Sequence, residues 1–485
     1  MFFWFKSLVC VFSAVFLSFY YEDFVRLQSK ILSFREKTVL AVGILSAQGN
    51  FEQREAARST WLKKYSSENN DVKAWFIVGK DSCKIPPEYR VDPYSCEKWN
   101  INISGLKDAF YSSIAVQSSA CFSEKRFYQG FSFHVNFPVV IEKLGILSSL
   151  LIEGHEATVS IMDVQTLEKI TQVRISTNYS ESNGYAYKNI DALLFPKNYE
   201  GWVLVEGYLK DTACTNIVWN YGGGVITYNR IYPTPDHLSS KKYSSEMYPA
   251  PSIGFIIPEM NKLREIINEE ESVTNQWSRF LKKINKMLKA EVTTKKDIFI
   301  VDTTDTYRSL PNKLLKFYQW LYLNYDFSFV MKTDDDSVVN IPYLLKKLQE
   351  DSQFDPSQLW LWSNLRTNWQ VNYLGKWMDY EYRSTNYPSF PCGAAYIFSQ
   401  KIALWLTQNA EILYTYQGED VSIGIWLSAI NPNFIEDENF ECDEYCKPAS
   451  YNRAQLNPDK IFKVWSYFER CQSLCSCHSE SGNAV

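Results

Sequence analysis

Two kinds of hydrophobic pattern alternate along the chain. "TVLAVGIL" (38–45), "VKAWFIVG" (72–79), "DIFIVD" (297–302) and "FSFVMK" (327–332) are nearly continuous apolar runs, as in strands covered on both faces of a parallel sheet. "REAARSTWLKKY" and "PNKLLKFYQWLY" between them carry apolar residues at helical spacing. This strand–helix–strand order predicts an α/β domain with a mostly parallel sheet. From about 126 to 226 the pattern has period two instead: "FSFHVNF" sets Phe131, Phe133, Val135 and Phe137 on one face, and "TVSIMDV", "ITQVRIS" and "GWVLVEGYL" repeat it. That stretch predicts an antiparallel, β-sandwich-like insertion, with Gly222, Gly223 and Gly224 as a turn. Helical spacing returns in "QWSRFLKKINKMLKAEV", where Trp277, Phe280, Leu281, Ile284 and Leu288 share a face, as expected of an amphipathic helix packed on its own domain.

The N-terminus, "MFFWFKSLVCVFSAVFLSFYYEDF", is apolar over nearly the length of a spanning helix, with Lys6 the one charge before Glu22. Bulky Phe19, Tyr20 and Tyr21 stand where a signal peptide would need small residues for cleavage. An N-terminal signal anchor helix over 1–22 and a polar stem over 23–37 are therefore expected. Apart from Cys10 the chain has ten cysteines, an even number concentrated towards the end, which fits disulfides in an oxidising lumen. A zinc site is the rival for "CDEYC…CQSLCSC", but regular CxxC pairs are missing and only His478 is near. Sequons at Asn102 and Asn178 agree with a lumenal body. These features predict a single-pass type II protein of the Golgi or endoplasmic reticulum membrane. With 46% hydrophobic residues, 485 positions can bury a large core, and a net charge of −5 without any basic block argues against nucleic acid as a partner.

The chemistry begins at "VMKTDDDSVVN", where Asp334, Asp335 and Asp336 end an apolar strand. Adjacent carboxylates repel, and a folded chain keeps them together at low cost only in a solvated turn or around a cation. A strand that ends this way delivers them to the carboxyl edge of a parallel sheet, where α/β proteins bind ligands. Oxygen donors there suit magnesium or manganese, which commonly bridge to a substrate diphosphate. Asn340 is placed to cap the next helix and Pro342 falls in its first turn. Further on, "TYQGEDVSIGIWLSAI" sets Glu419 and Asp420 at the start of an apolar helix. They could simply complement the helix dipole or could take a proton from a hydroxyl nucleophile.

Five motifs, "QREAARSTW", "DTTDTYRSLPNKLLKFYQW", "KTDDDSVVN", "NYPSFPCGAAYIFS" and "GEDVSIG", resemble in content and order the β-1,3-glycosyltransferases of glycosyltransferase family 31. The resemblance implies a GT-A-type nucleotide-sugar-binding domain, its first part at 38–115 and its remainder at 250–478, split by the β-rich insertion at 126–248. It implies that Asp334 and Asp336 bind manganese and that Asp334 and Asp335 serve the UDP diphosphate. Arg54, Arg58, Trp61, Asp305, Tyr307 and Lys313 would line the donor site. Asp420 would be the general base with Glu419 beside it, and Pro388, Gly393 and Tyr396 would shape the acceptor side. Many members carry a histidine as a further metal ligand where this chain has Gln455, so a weaker metal site is expected. "DPYSC" (92–96), "GGGV" (222–225), "YQGEDVSIGIW" (416–426) and "RCQSLCSC" (470–477) resemble the subgroup that moves GalNAc from UDP-GalNAc in β1,3 linkage onto a GlcNAc-terminated glycan of a glycoprotein, O-mannosyl glycans included. A galactosyl- or N-acetylglucosaminyltransferase on the same scaffold, and a non-catalytic lumenal lectin, are the alternatives.

Overall fold

The computed structural model describes residues 35–477 except 66–70, 105, 107–110, 117–120, 124–126, 129, 165, 180, 211, 215–216, 233–247, 373–374, 380, 383 and 443–445. The expected signal anchor and nearly all of the stem lie outside the described residues. Among the described residues no helix is long and apolar enough to cross a membrane. The chain divides into two compact units. One runs through Ser82 and takes up Ile284–Asn368 and the segment from Pro388 onward; the other comprises Cys83–Lys283 and Trp369–Tyr387.

Elements of the first unit are numbered in chain order. They open with β1 (Glu36–Leu45), α1 (Phe51–Ser59), β2 (Val72–Ser82) and the end of α2 (Met260–Lys295). Next come β3 (Ile298–Asp305), α3 (Leu310–Asn324), β4 (Tyr325–Asp334), β5 (Val338–Val339) and α4 (Ile341–Glu350). After β6 (Trp360–Ser363) and β7 (Leu365–Arg366), the chain returns in β8 (Phe390–Pro391), β9 (Ala395–Ser399) and α5 (Gln400–Asn409). It closes with α6 (Glu419–Ser428), β10 (Asn433–Glu436), β11 (Asn452–Arg453) and α7 (Pro458–Cys471). Seven strands form one sheet in the order β3–β2–β1–β4–β9–β6–β10. Only β9 runs antiparallel to its neighbours, so the sheet is mostly parallel.

The continuous apolar runs are explained by cover on both faces. From β1 and β4, Leu40, Val42, Ile44, Phe329 and Met331 join one core, while Ala41, Leu45, Phe327 and Val330 join Leu314, Phe317 and Leu321 of α3 in the other. Each large side chain so buried contributes about 1.5–3 kcal/mol relative to exposure. Asn340 caps α4 by accepting the Tyr343 N–H. Disulfides Cys392–Cys442, Cys446–Cys475 and Cys471–Cys477 staple the later part of this unit.

The second unit contains two five-stranded antiparallel sheets. Phe131, Phe133, Val135, Ile141, Leu144, Val159, Ile161, Val203 and Phe255, drawn from both, share one core. The alternation seen in the sequence is thus the inner face of a sandwich. Gly222, Gly223 and Gly224 all have positive φ and make a tight turn, and Cys83 is bonded to Cys96. The helix expected from "QWSRFLKKINKMLKAEV" is longer than that pattern and begins at Met260. Its first half is rich in charge, which hid Leu263, Ile266 and Ile267 from a reading by amphipathic spacing.

Close packing beneath α6 depends on one glycine. A Cβ on Gly424 would lie 2.3 Å from Phe390 Cβ and 2.8 Å from the Ser389 carbonyl oxygen. Gly424→Ala is expected to force α6 away from β8 and to destabilise by about 1–3 kcal/mol. The measurement is the thermal unfolding midpoint; an unchanged midpoint would contradict this packing.

Candidate active site

Strands β1 to β4 all end at one edge of the sheet. Leu45 is level with Asp334, and Asp305 with Ser82. The strand order turns at β1, with β2 and β3 to one side and β4 to the other, and such switch points are where open α/β sheets bind ligands. The loop Ser46–Asn50 leaves β1 there, and the aspartate triplet leaves β4 beside it.

The three aspartates do different things. Asp335 is buried and turns back into the protein, accepting from Ser46 Oγ (2.6 Å) and Asn50 Nδ2 (3.0 Å). Asp334 Oδ1 lies 3.0 Å from Lys332 Nζ. Burial raises the Asp334 carboxyl well above its usual range, Lys332 opposes this, and the charges of Glu419 and Asp336 add to it. Asp335 is raised too, by burial first, with Ser46 and Asn50 pulling it back.

Lys332 joins this turn to α6. Its ammonium is fully buried and has three oxygen partners: Asp334, Glu419 Oε1 at 2.6 Å, and the Gly393 carbonyl. Three N–H donors thus meet three acceptors from three separate segments. Burial lowers the proton affinity of Lys332, yet Asp334 and Glu419 more than reverse this and hold it charged. At the start of α6, Asp420 Oδ1 accepts the Val421 N–H at 2.8 Å, and Oδ2 lies on the side of Gly393, where an added Cβ would be 3.0 Å away. The same Cβ would stand 3.1 Å from Glu419 Oε1, so a side chain at 393 would crowd both carboxylates. Burial and the neighbouring Glu419 charge push the Asp420 carboxyl up to about 7, against Lys332. Tyr307 feels Glu419, Asp420 and Asp334 together, and burial with these charges holds its phenol protonated.

The remaining residues singled out in the sequence fall into two groups. Arg54 is fully buried and uses all five N–H donors inside the protein: two on Glu291 and the others on Ser46 Oγ and the Ala47 and Gln48 carbonyls. It fixes the loop after β1 and has no donor left for a nucleotide. Arg58 forks onto Asp297 and reaches Glu291, and Trp61 is a core residue. Asp305 lies at the sheet edge, where its carboxylate accepts from Gln48 N, Gly79 N and Lys313 Nζ. Lys313 also donates to the Ser46 carbonyl. Tyr396 lies in the core next to β4, its ring centroid 5.9 Å from Lys332 Nζ. Gln455 adjoins the triplet through the backbone, since the Leu456 N–H donates to the Asp336 carbonyl. Pro388 precedes β8, against which α6 packs. Sequence reasoning missed Lys332, Glu291 and Asp297; a lone lysine inside the run "FVMKT" was the available signal.

The donor set fits a hard divalent cation. The charge of Asp336 adds to the raised proton affinity of Asp334, and that is an electrostatic burden a cation relieves. Both offer oxygen, as does Gln455 beside them. Among the described residues no three His, Cys, Asp or Glu side chains gather as a closed metal site. A cation here would complete its shell with substrate oxygens and water, as magnesium-type sites do.

Clustered aspartates at a sheet switch point are thus tied to a helix that opens with two carboxylates. The family model described as Galactosyltransferase matches residues 278–438. UDP-GalNAc:β-1,3-N-acetylgalactosaminyltransferase 2 of Xenopus tropicalis is 34% identical over 450 residues, 90% of this chain and 91% of that protein. The Homo sapiens protein of the same name is 32% identical over 454 residues, covering 91% and 89%. β-1,3-Galactosyltransferase 6 of Mus musculus is 28% identical over 140 residues, covering 29% and 43%. The chain belongs to the galactosyltransferase family, glycosyltransferase family 31, and is a hexosyltransferase; its mixed sheet and flanking helices accord with a GT-A-like fold.

Replacing Lys332 by Met would leave Asp334 and Glu419 facing each other without their cation. Breaking a buried pair on one side costs about 3–5 kcal/mol. Lys332→Met is expected to lower the unfolding midpoint and to weaken UDP binding; calorimetry showing both unchanged would contradict the linking role of this lysine.

Proposed function

We propose that the chain transfers GalNAc from UDP-GalNAc in β1,3 linkage to a GlcNAc-terminated acceptor, including glycans built on O-linked mannose. One observation carries the mechanism: Lys332 contacts both Asp334 of the triplet and Glu419 of α6, so donor-side and acceptor-side carboxylates are held in one constellation. The identity of the donor sugar is supported by relatives that bear that activity in their name over nine-tenths of this chain.

In the proposed reaction the acceptor 3-hydroxyl gives its proton to Asp420, and the oxygen attacks the anomeric carbon of the donor. The bond from that carbon to the UDP oxygen breaks, and its electron pair leaves with UDP. Single displacement inverts the anomeric centre. Oδ2, on the side of Gly393, is the oxygen that takes the proton, since Oδ1 accepts the Val421 amide. Glu419 positions: it grips Lys332 and, by its charge, raises Asp420 towards neutrality. A base matched to the working pH contributes about 10²–10⁴-fold. Asp334 and Asp336, with Gln455 nearby, would hold manganese, which when bound supplies positive charge for the diphosphate leaving group. Asp335 keeps the turn in place through Ser46 and Asn50.

Four disulfides among the described residues and the apolar N-terminus support a type II protein whose body lies in the lumen of the Golgi or endoplasmic reticulum. The donor is tested by offering UDP-GalNAc, UDP-galactose and UDP-GlcNAc with a β-GlcNAc acceptor. Transfer of GalNAc is expected, and faster transfer of galactose would favour the family's other donor instead.

Asp420→Asn is expected to leave UDP affinity in manganese within about twofold while transfer falls by about 10²–10⁴-fold. In the unaltered protein Asp420 must be ionised to accept a proton, so kcat/KM should rise with pH through about 7. Ordinary transfer in Asp420→Asn, or a flat profile between pH 5 and 8, would remove Asp420 from the role of base.

A further inference from the structure

Next to the acidic turn, and within the same unit, is a cavity of about 410 Å³ whose lining includes Arg453, Gln455, Lys460, Lys463 and Tyr467. Its size falls within the usual range for small-ligand pockets. The backbone fixes it beside the triplet: Val338 pairs with Arg453 across β5 and β11, and the Leu456 N–H donates to the Asp336 carbonyl at 2.9 Å. Gln455 takes a left-handed backbone, φ 58°, at the bend between β11 and α7. Side chains other than glycine adopt that conformation at a cost, which tends to persist where a site demands it.

The charge of the cavity is one-sided. Three cations line it, and no Asp or Glu is among its described lining residues. Lys460 and Lys463 stand three positions apart at the start of α7, both exposed, and among the described residues neither is ion-paired. The amino end of α7, capped by Asn457, adds its own positive potential. Gathering like charges around a concave space is unfavourable unless an anion occupies it, and it raises the local concentration of anions. Across the Leu456–Asp336 backbone hydrogen bond, the turn carries carboxylates suited to a cation. Cation site and anion site side by side match a metal-bound diphosphate better than either ion alone.

We propose that this cavity is a phosphate-binding subsite, in which Arg453, Lys460 and Lys463 hold a phosphoryl group of the donor diphosphate. The inference rests on the nucleotide-sugar reading above. These cations neutralise charge on the phosphate oxygens in the bound donor and continue to do so as UDP departs. Lysine and arginine are suited to that task through charge-assisted hydrogen bonds.

The test is titration calorimetry on the full chain with UDP, uridine and inorganic pyrophosphate, comparing the unaltered protein with Lys460→Gln/Lys463→Gln. Both lysines are exposed, so the fold should survive; a melting curve checks this, and Lys460→Arg/Lys463→Arg should bind as the unaltered protein does. Expected is a roughly 10- to 100-fold loss of affinity for UDP and pyrophosphate, with uridine unaffected. Unchanged affinity for both anions would overturn the subsite. Loss of pyrophosphate alone, with UDP untouched, would overturn the donor assignment, because the cavity would then serve phosphate from another source. Asp336→Asn separates this from the wider reading. UDP binding that survives Asp336→Asn in manganese counts against the nucleotide-sugar site itself. UDP binding lost in Asp336→Asn but kept in the lysine variant counts against the subsite alone.

Discussion

The site depends on a lysine placed where lysines are rarely found. Lys332 lies in β4 with its ammonium out of contact with water and bonded to Asp334, Glu419 and the Gly393 carbonyl. Removing an ammonium from water costs several kcal/mol, and only full pairing with well-placed acceptors offsets it. The gain is in register. One end of β4, the segment leading into β9 and the first turn of α6 are all held to a single atom, so the turn that would bind the donor and the helix that carries the proposed base cannot shift independently.

Two other buried cations extend the principle along the same sheet edge. Arg54 clamps the loop after β1 to Glu291, and Lys313 ties the Ser46 carbonyl to Asp305. Positive side chains here mostly hold protein to protein. Carboxylates that they do not fully satisfy, Asp334 and Asp420 foremost, show proton affinities raised by burial and by the neighbouring Glu419 charge. That imbalance favours a cation at the turn and leaves a carboxyl that titrates near neutrality at the position of the proposed base on α6. The basic cavity beside Gln455 is its counterpart, with the opposite sign of charge.

Much of this was legible in the sequence because the decisive signals were local. Continuous and alternating hydrophobic runs separate the parallel sheet from the sandwich, the triplet ends an apolar strand, and Glu419 and Asp420 open an apolar helix. Asn340 reads as a cap and is one. What the sequence concealed depends on long-range pairing. Arg54 reads as a ligand-binding arginine, yet Glu291, more than two hundred positions away, takes two of its donors. Lys332 reads as the edge of a strand until Glu419 is brought against it. The cavity formed by Arg453, Lys460 and Lys463 is invisible in sequence, because its proximity to the triplet comes from the β5–β11 pairing and the bend at Gln455.

Coupling of the turn to α6 through one buried ammonium can be read most directly from a double-mutant cycle on stability at Lys332 and Glu419. If Lys332→Met and Glu419→Gln remove the two halves of one interaction, the double variant should be clearly less damaged than the two single losses added together. Strictly additive losses would mean that the two residues act separately, and the coupling described above would not exist.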